Sequence, residues 1–350
     1  RTEKGIHVVA ISIVRSFWNG RDGQEGRYNM MELLKVTGLK KYFKMKKGVL
    51  KAVDGVTFSI KEGETLGIVG ESGCGKTTCG RTCIGMYSKT AGSVLYRGRE
   101  VEDYRKQDRM KFAKQVQCVF QDPYASLDPR MKAGEMIAEG IRLHQPGKSR
   151  REYDEMAGEL LERVGLSAKD RNRYPNEFSG GQRQRIGIAR ALSVDPEFLF
   201  CDEPLSALDV SVQAQIMNLF LELQEENHLT YMFVSHDISM VRHLSNRIVV
   251  FYMGKIVEMA QTEELCGHPE HPYTRLLLSS VPISDPIQER KREKLIGYGE
   301  LEENDREKKG CVFADRCPYV DPGCREYSGQ LLEIGSGHSV ACRKAGREKE

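Results

Sequence analysis

The sequence has no long hydrophobic run. Its longest apolar stretch near the start, Ile6–Val14, is nine residues and contains a histidine. A membrane-spanning helix needs about 20, so the chain is not expected to cross a bilayer by itself. There is no excess of either charge. Lys and Arg number 53 against 50 Asp and Glu, a balance of +3, which gives no electrostatic case for nucleic acid. No small-residue cleavage site follows Ile6–Val14, so no secretory signal is read there. No methionine stands at residue 1. Residues 1–30, with the lone Trp18, are read as an N-terminal extension without function. No internal repeat or long low-complexity tract occurs, which excludes a solenoid. The ten cysteines contain no C-x2–4-C pair in the C-terminal region where four of them cluster, and such pairs mark most structural zinc sites.

Hydrophobic residues make up 39% of the chain, enough for a substantial core. Short apolar runs alternate with helix-compatible stretches, the pattern of an α/β fold. Strands are expected at Thr65–Val69, Val116–Phe120, Phe198–Cys201, Tyr231–Val234 and Arg247–Tyr252, and a strand pattern starts at Glu32-Leu33-Leu34. Helices are expected at Lys76–Tyr87, Glu152–Val164, Gly181–Ser193, Val210–Glu226 and Ile238–Leu244. From Pro123 to Phe178 the pattern is mainly helical, a helical insertion in the core. Gln288–Lys309 is charged and reads as a solvated linker.

Gly70-Glu-Ser-Gly-Cys-Gly-Lys76-Thr77 fits G-x-x-x-x-G-K-[ST], between an expected strand and an expected helix. The glycines let backbone N–H groups form an anion nest, and the helix N-terminus adds positive potential. Lys76 is placed to reach the β- and γ-phosphates, and the Thr77 hydroxyl to ligate Mg²⁺. Further on, the apolar strand Phe198–Cys201 runs into two acids, Asp202 and Glu203. Alone, such a pair reads as surface charge. With a phosphate loop upstream, Asp202 suits the Mg²⁺ shell and Glu203 suits a general base for an attacking water. Phe178-Ser-Gly-Gly-Gln-Arg-Gln-Arg185 opens another helix with a serine and two glycines, a second anion site. One active site has little use for both. Two chains facing head to tail would use both, each nucleotide lying between one chain's phosphate loop and the other's serine-glycine helix.

With these segments the sequence closely resembles the ATP-binding-cassette (ABC) ATPases, a P-loop fold with a helical subdomain. Ser179-Gly-Gly-Gln182 resembles the family signature, with Phe178 where leucine is commoner. Gln121 matches the Q-loop glutamine, Ser206-Ala-Leu-Asp209 the D-loop, and Val234-Ser-His236-Asp the switch histidine. Phe43 in Lys40-Lys-Tyr-Phe aligns with the aromatic that stacks on adenine, with Tyr42 as a rival. The match runs from Leu33 to about Ala260. Read singly, His236 is a capped or core histidine, Gln121 a surface amide and Phe43 a core residue; the ordered set gives them standing. The resemblance implies an ATP site of Phe43, Gly70, Ser72, Gly73, Cys74, Gly75, Lys76, Thr77, Thr78 and Asp202. Ser179, Gly180, Gly181, Gln182 and Asp209 would contribute in trans. Mg²⁺ would be held by Thr77, Gln121 and Asp202, with Glu203, His236, Gln121 and Lys76 catalytic. The domain is expected at 31–270, its helical subdomain at about 122–195.

Three further segments resemble the ATPases of oligopeptide and dipeptide importers: Gln121–Arg130, His271–Pro282 and Gly310–Cys342. Lys40-Lys-Tyr-Phe, Leu50-Lys-Ala-Val-Asp-Gly-Val and Asp122-Pro-Tyr look like the second of their two ATPase subunits. That resemblance implies a related ATPase as heterodimer partner, two integral-membrane permeases and, indirectly, a substrate-binding protein. It implies a peripheral position on the cytoplasmic face of the cell membrane, and no nucleic acid. Pro123, Tyr124 and Pro129 would shape a groove for a permease helix. Peptides are the expected cargo, although nickel, glutathione-like, opine or sugar-like cargo can share such ATPases. The alternative is a soluble ABC ATPase acting on nucleic acid or ribosomes. Such proteins commonly carry two cassettes or a long coiled-coil insert, and this chain has one cassette and no basic groove.

Residues 271–350 form the expected C-terminal extension. Cys311, Cys317, Cys324 and Cys342 are spaced C-x5-C-x6-C-x17-C. Clustered thiols in an expected reducing cytosol suggest metal before disulfide. The wide spacing and the proline after Cys317 lean toward an iron–sulfur cube, with zinc, free thiols or disulfides as alternatives. The family resemblance implies a 4Fe–4S cluster. The family's proline-rich stretch before the first tail cysteine is replaced here by Glu300–Lys309, charged and proline-free. Cys74, Cys79, Cys83, Cys118, Cys201 and Cys266 read as core or incidental.

Overall fold

The computed structural model describes residues 31–46, 48–281, 310–335 and 337–346. The extension at 1–30, Pro282, the linker Gln288–Lys309 and its segment Glu300–Lys309 lie outside them.

Two sheets carry the fold among the described residues. β1 (Glu32–Lys44), β2 (Val49–Lys61), β4 (Ala91–Tyr96) and β5 (Arg99–Glu100) form an antiparallel sheet in the order β2-β1-β4-β5. The larger sheet contains β3 (Thr65–Val69), β6 (Val116–Val119), β7 (Phe198–Asp202), β8 (Thr230–Ser235), β9 (Arg247–Tyr252), β10 (Lys255–Gln261), β11 (Leu332–Gly335) and β12 (His338–Val340). Its order is β11-β12-β10-β9-β3-β8-β7-β6. The five strands from β9 to β6 are parallel. β3 and β7 are buried at every residue, as parallel strands covered on both faces must be. Two cores result. One lies between the sheets, with Leu34, Val36, Ile68, Phe200 and Val249. The other lies under the helices, with Ile137, Leu161, Ile186, Phe220 and Phe233.

β3 and β9 have the expected bounds, whereas β6 stops at Val119, one residue short. The helix expected to reach Tyr87 ends at Cys83. Gly85 follows with φ 74°, a left-handed turn that closes a helix. In the helical stretch, Ala133–His144 buries Ala133, Met136, Ile137 and Ile141. Arg150–Arg163 starts two residues before the expected Glu152, because Ser149 caps it and Glu152 bonds back to the Ser149 N–H. None of the helices among the described residues is long and apolar enough to cross a membrane.

The C-terminal segment joins the same sheet. β12 pairs with β10, and β11 with β12. Glu258 of β10, fully buried, accepts the N–H groups of Glu270 (2.8 Å) and His271 (3.0 Å) and bonds His338 Nε2 (2.8 Å). That bond raises the pKa of His338 above its ordinary value despite burial. Burial takes His271 down to about 3. Its neutral Nδ1 can therefore accept the Tyr273 N–H (3.1 Å) and cap the helix Pro272–Ser279.

Candidate active site

The parallel strands end on one side of the sheet, and several of the candidate residues follow their ends there. β3 delivers the phosphate loop. Gly70 has φ 152°, and a Cβ there would lie 2.2 Å from the Phe251 carbonyl oxygen. Gly75, the N-cap of the helix Lys76–Cys83, has φ 112°, and its Cβ would lie 2.1 Å from the Ala52 oxygen. Only glycine serves at both places. The Cys74 carbonyl accepts the Gly254 N–H at 2.7 Å, fastening the loop to the turn after β9. The Lys76 ammonium is almost fully buried and donates to the carbonyls of Gly70 (2.7 Å) and Glu71 (2.9 Å). Ser72 and Gly73 are exposed at the mouth, and Thr77 and Thr78 are half-buried.

β7 delivers the acids. Asp202 is fully buried and accepts the Thr77 hydroxyl at 2.6 Å. It also accepts Arg81 Nε (3.2 Å) and Nη2 (2.9 Å). Sequence reasoning missed Arg81. The available signal was its spacing, four residues after Thr77 on the same helix face. Glu203 has φ 46°, the left-handed region, in a residue that is not glycine. That conformation costs on the order of 1–3 kcal/mol and concentrates at functional sites. Its N–H donates to the Val234 oxygen at 3.0 Å, which fixes the turn. Gln121, just after β6, donates Nε2 to Glu203 Oε2 at 3.1 Å. His236, just after β8, places Nδ1 3.2 Å from the same oxygen. Lys76 Nζ lies 3.8 Å from Glu203 Oε1. Three residues singled out from the sequence thus meet at the carboxylate of a fourth, Glu203.

The remaining candidates lie on other elements. Ser179 caps the helix Gly180–Leu192. Its hydroxyl accepts the Gln182 N–H (3.3 Å), and its own N–H donates to Gln182 Oε1 (3.0 Å). Ser179 is exposed and Gly180 half-buried. Gly181 is buried, and a Cβ on it would strike Val212 at 2.4 Å, so its size serves packing on the helix Val210–Asn227. Asp209 is exposed at the start of that helix, and the next residue, Val210, is 79% exposed. Phe43 is half-buried and meets Tyr87 edge-on, with centroids 5.8 Å apart. The Tyr42 hydroxyl is committed to Asp54, which favours Phe43 over Tyr42 for stacking. In the segment after Gln121 one expectation needs correction. Of the three residues expected to shape a groove, Pro123 is buried as the first residue of the short helix Pro123–Ser126, whereas Tyr124 and Pro129 are exposed. Tyr124, 66% exposed, has the Arg183 guanidinium 3.6 Å from its ring centroid.

None of the ten cysteines forms a disulfide. Of the six outside the tail, Cys74, Cys79, Cys83 and Cys201 are buried. Cys324 is buried, while Cys311, Cys317 and Cys342 are half-buried. The Cys311 N–H donates to the Cys324 carbonyl at 2.8 Å. Burial pushes the Cys311 thiol up to about 11 and also raises Cys317 and Cys342. Backbone N–H groups oppose this: Phe313 bonds Cys311, Tyr319 bonds Cys317, and Lys344 and Ala345 bond Cys342. All four thiols lie within electrostatic reach of one another. Among the described residues, no three His, Cys, Asp or Glu side chains are placed to hold a metal ion.

Residues 53–206 match the family described as ABC transporter, and residues 257–324 match the one described as oligopeptide/dipeptide transporter, C-terminal region. The putative oligopeptide transport ATP-binding protein YkfD of Bacillus subtilis is 51% identical over 89% of this chain and 95% of its own length. The oligopeptide transport ATP-binding protein OppF of Escherichia coli is 46% identical over 89% and 96%. Among solved structures, a dimeric post-hydrolysis state of the ATP-binding cassette MJ0796, bound to ADP and Pi, matches at TM-score 0.60 and 31% identity. It covers 65% of this chain and 98% of that one.

Proposed function

The chain belongs to the ABC transporter family, in the branch of the oligopeptide transport ATP-binding proteins, and from that premise we propose how its residues work. It is the ATPase subunit of an oligopeptide/dipeptide ABC importer. The reading of its site rests on one observation above all. Lys76, Gln121 and His236, from three different elements, converge on the strained Glu203 beside the Thr77–Asp202 pair.

Glu203 takes the proton of the attacking water, and Gln121 and His236 hold its carboxylate in the direction of attack. Lys76 and the loop amides bind the phosphates, and Phe43 stacks on adenine. Thr77 Oγ1 and Asp202 present hard oxygens at one place, which fits Mg²⁺, with Gln121 as a further donor. When bound, Mg²⁺ neutralises charge on the β- and γ-phosphates. Arg81 holds the second Asp202 oxygen, so the acid stays oriented. Ser179, Gly180, Gly181, Gln182 and Asp209 complete the site of a facing chain, a related ATPase rather than an identical copy. Hydrolysis then waits on closure of the pair, which drives two permeases at the cytoplasmic face of the membrane. Tyr124 and Pro129 meet a permease there. The match at residues 257–324 weighs against the nucleic-acid alternative. Affinity purification of the chain from detergent-solubilised membranes should recover a second ABC ATPase and two multi-span permeases. Ribosomes or soluble partners alone would contradict the assignment.

For the tail we favour a 4Fe–4S cluster on Cys311, Cys317, Cys324 and Cys342. The donor set is all thiol, and backbone N–H groups two residues on bond Cys311, Cys317 and Cys342. Such bonds favour thiolate. The cluster would supply a structural staple, its four thiolates drawing the tail together. Anaerobically purified protein should be brown and contain iron and sulfide in equal amounts. Zinc alone in the elemental analysis would exclude the cluster.

A further inference from the structure

The phosphate loop is anchored from outside the cassette. Glu71, its second residue, is held at every polar group. Its N–H donates to the Tyr273 hydroxyl at 2.8 Å, and its carbonyl accepts Lys76 at 2.9 Å. Its carboxylate is gripped by Arg316 in a two-bond fork, Nη1 to Oε2 at 2.9 Å and Nη2 to Oε1 at 3.0 Å. Two of these anchors, Tyr273 and Arg316, come from the C-terminal region matched at 257–324. Neither comes from the matched cassette at 53–206.

The Arg316 side chain is well supported. It is 12% exposed and lies on the turn Ala314–Arg316, immediately before Cys317. The guanidinium carbon stands 5.8 Å from the ring centroids of both Tyr252 and Phe313. Phe313 is buried against Tyr252, Tyr273 and His271. A planar fork fixed in this way matches a carboxylate and needs little reordering to do so. The position of Glu71 gives the pair its meaning. A carboxylate in a loop that cradles a triphosphate opposes the ligand's charge, and pairing removes that opposition while fixing the loop's shape.

We propose that Arg316 is a positioning residue for ATP: by pairing with Glu71 it neutralises and rigidifies the phosphate loop, so that docking of the C-terminal segment tunes nucleotide affinity. The proposal rests on the reading of Gly70–Thr78 as the ATP cradle.

The test is titration of the full-length chain with a fluorescent ATP analogue and Mg²⁺, for wild type, Arg316→Gln, Arg316→Lys and the double variant Arg316→Gln/Glu71→Gln. Arg316→Gln should weaken binding about tenfold, the scale of one charge-assisted hydrogen bond. Removing the stranded charge in the double variant should bring binding back to within about threefold of wild type. In the assembled complex, Arg316→Gln should raise KM for ATP and leave kcat nearly unchanged. A folded Arg316→Gln chain that binds as wild type overturns the proposal. So does a double variant that binds no better than the single one, since a purely packing role is not rescued by removing a charge. If Arg316→Gln does not fold, Arg316→Lys decides: it keeps the charge but not the fork, and should bind about threefold more weakly. Unchanged binding there overturns the fork. Wild-type chain that does not bind the analogue removes the cradle itself, whereas equal binding by wild type and variants removes only the clamp.

Discussion

Glu203→Gln should leave ATP bound and slow its hydrolysis by about 10²–10⁴-fold, the range that a positioned general base contributes. Glutamine keeps the size and the acceptor oxygen of the side chain, so the contacts with Gln121 and His236 can persist. It cannot take the water's proton. The left-handed backbone at Glu203 is fixed by the bond of its N–H to the Val234 carbonyl, and that bond does not involve the side chain. The substitution therefore isolates the proton transfer from the architecture around it. Steady-state phosphate release measures the loss, and retained binding of a fluorescent ATP analogue shows that the loss is chemical. Undiminished turnover would remove Glu203 from the role of base.

Lys76→Ala should weaken ATP binding about a hundredfold, or roughly 2.7 kcal/mol. Two losses combine. The ammonium is the buried cation of the loop, and on the proposed reading it would give the phosphates charge-assisted bonds, among the stronger contacts available to the ligand. It also ties the Gly70 and Glu71 carbonyls together and sits 3.8 Å from Glu203. Without it, Glu203 is left with less positive charge beside it, in a place where phosphates must enter. Equilibrium titration with the same analogue reads the effect, and a wild-type dissociation constant would contradict it. Unlike Glu203→Gln, this variant should fail at binding rather than at chemistry.

The phosphate loop was legible because its geometry forces its composition. Gly70 and Gly75 stand where any Cβ meets a carbonyl oxygen, and that requirement appears in the sequence as fixed glycines. The central strands were legible for a similar reason, since β3 and β9 are short apolar runs with distinct ends. β1 and β2 were harder to read. They pair over 13 residues each, with several register shifts and with Gly38 and Gly55 at positive φ, so their alternation is broken. The convergence on Glu203 could be read only as a set of matched motifs; nothing local announces its strained backbone. Arg81 belongs to none of the motifs, and its partner Asp202 stands 121 positions away. Pro123 was expected to help shape a groove, and nothing local signals its burial. The Arg316–Glu71 fork spans 245 positions, and a pair that distant leaves no periodic trace in either segment.

The central claim is that an ATP site here is completed by a second chain. It is tested most directly by light scattering on the Glu203→Gln chain mixed with the ATPase recovered alongside it, with and without ATP and Mg²⁺. The account predicts separate chains without ATP and a stable pair with it, because the bound nucleotide is held between one phosphate loop and the other chain's Ser179 helix. A mass that is the same with and without ATP would contradict a shared site.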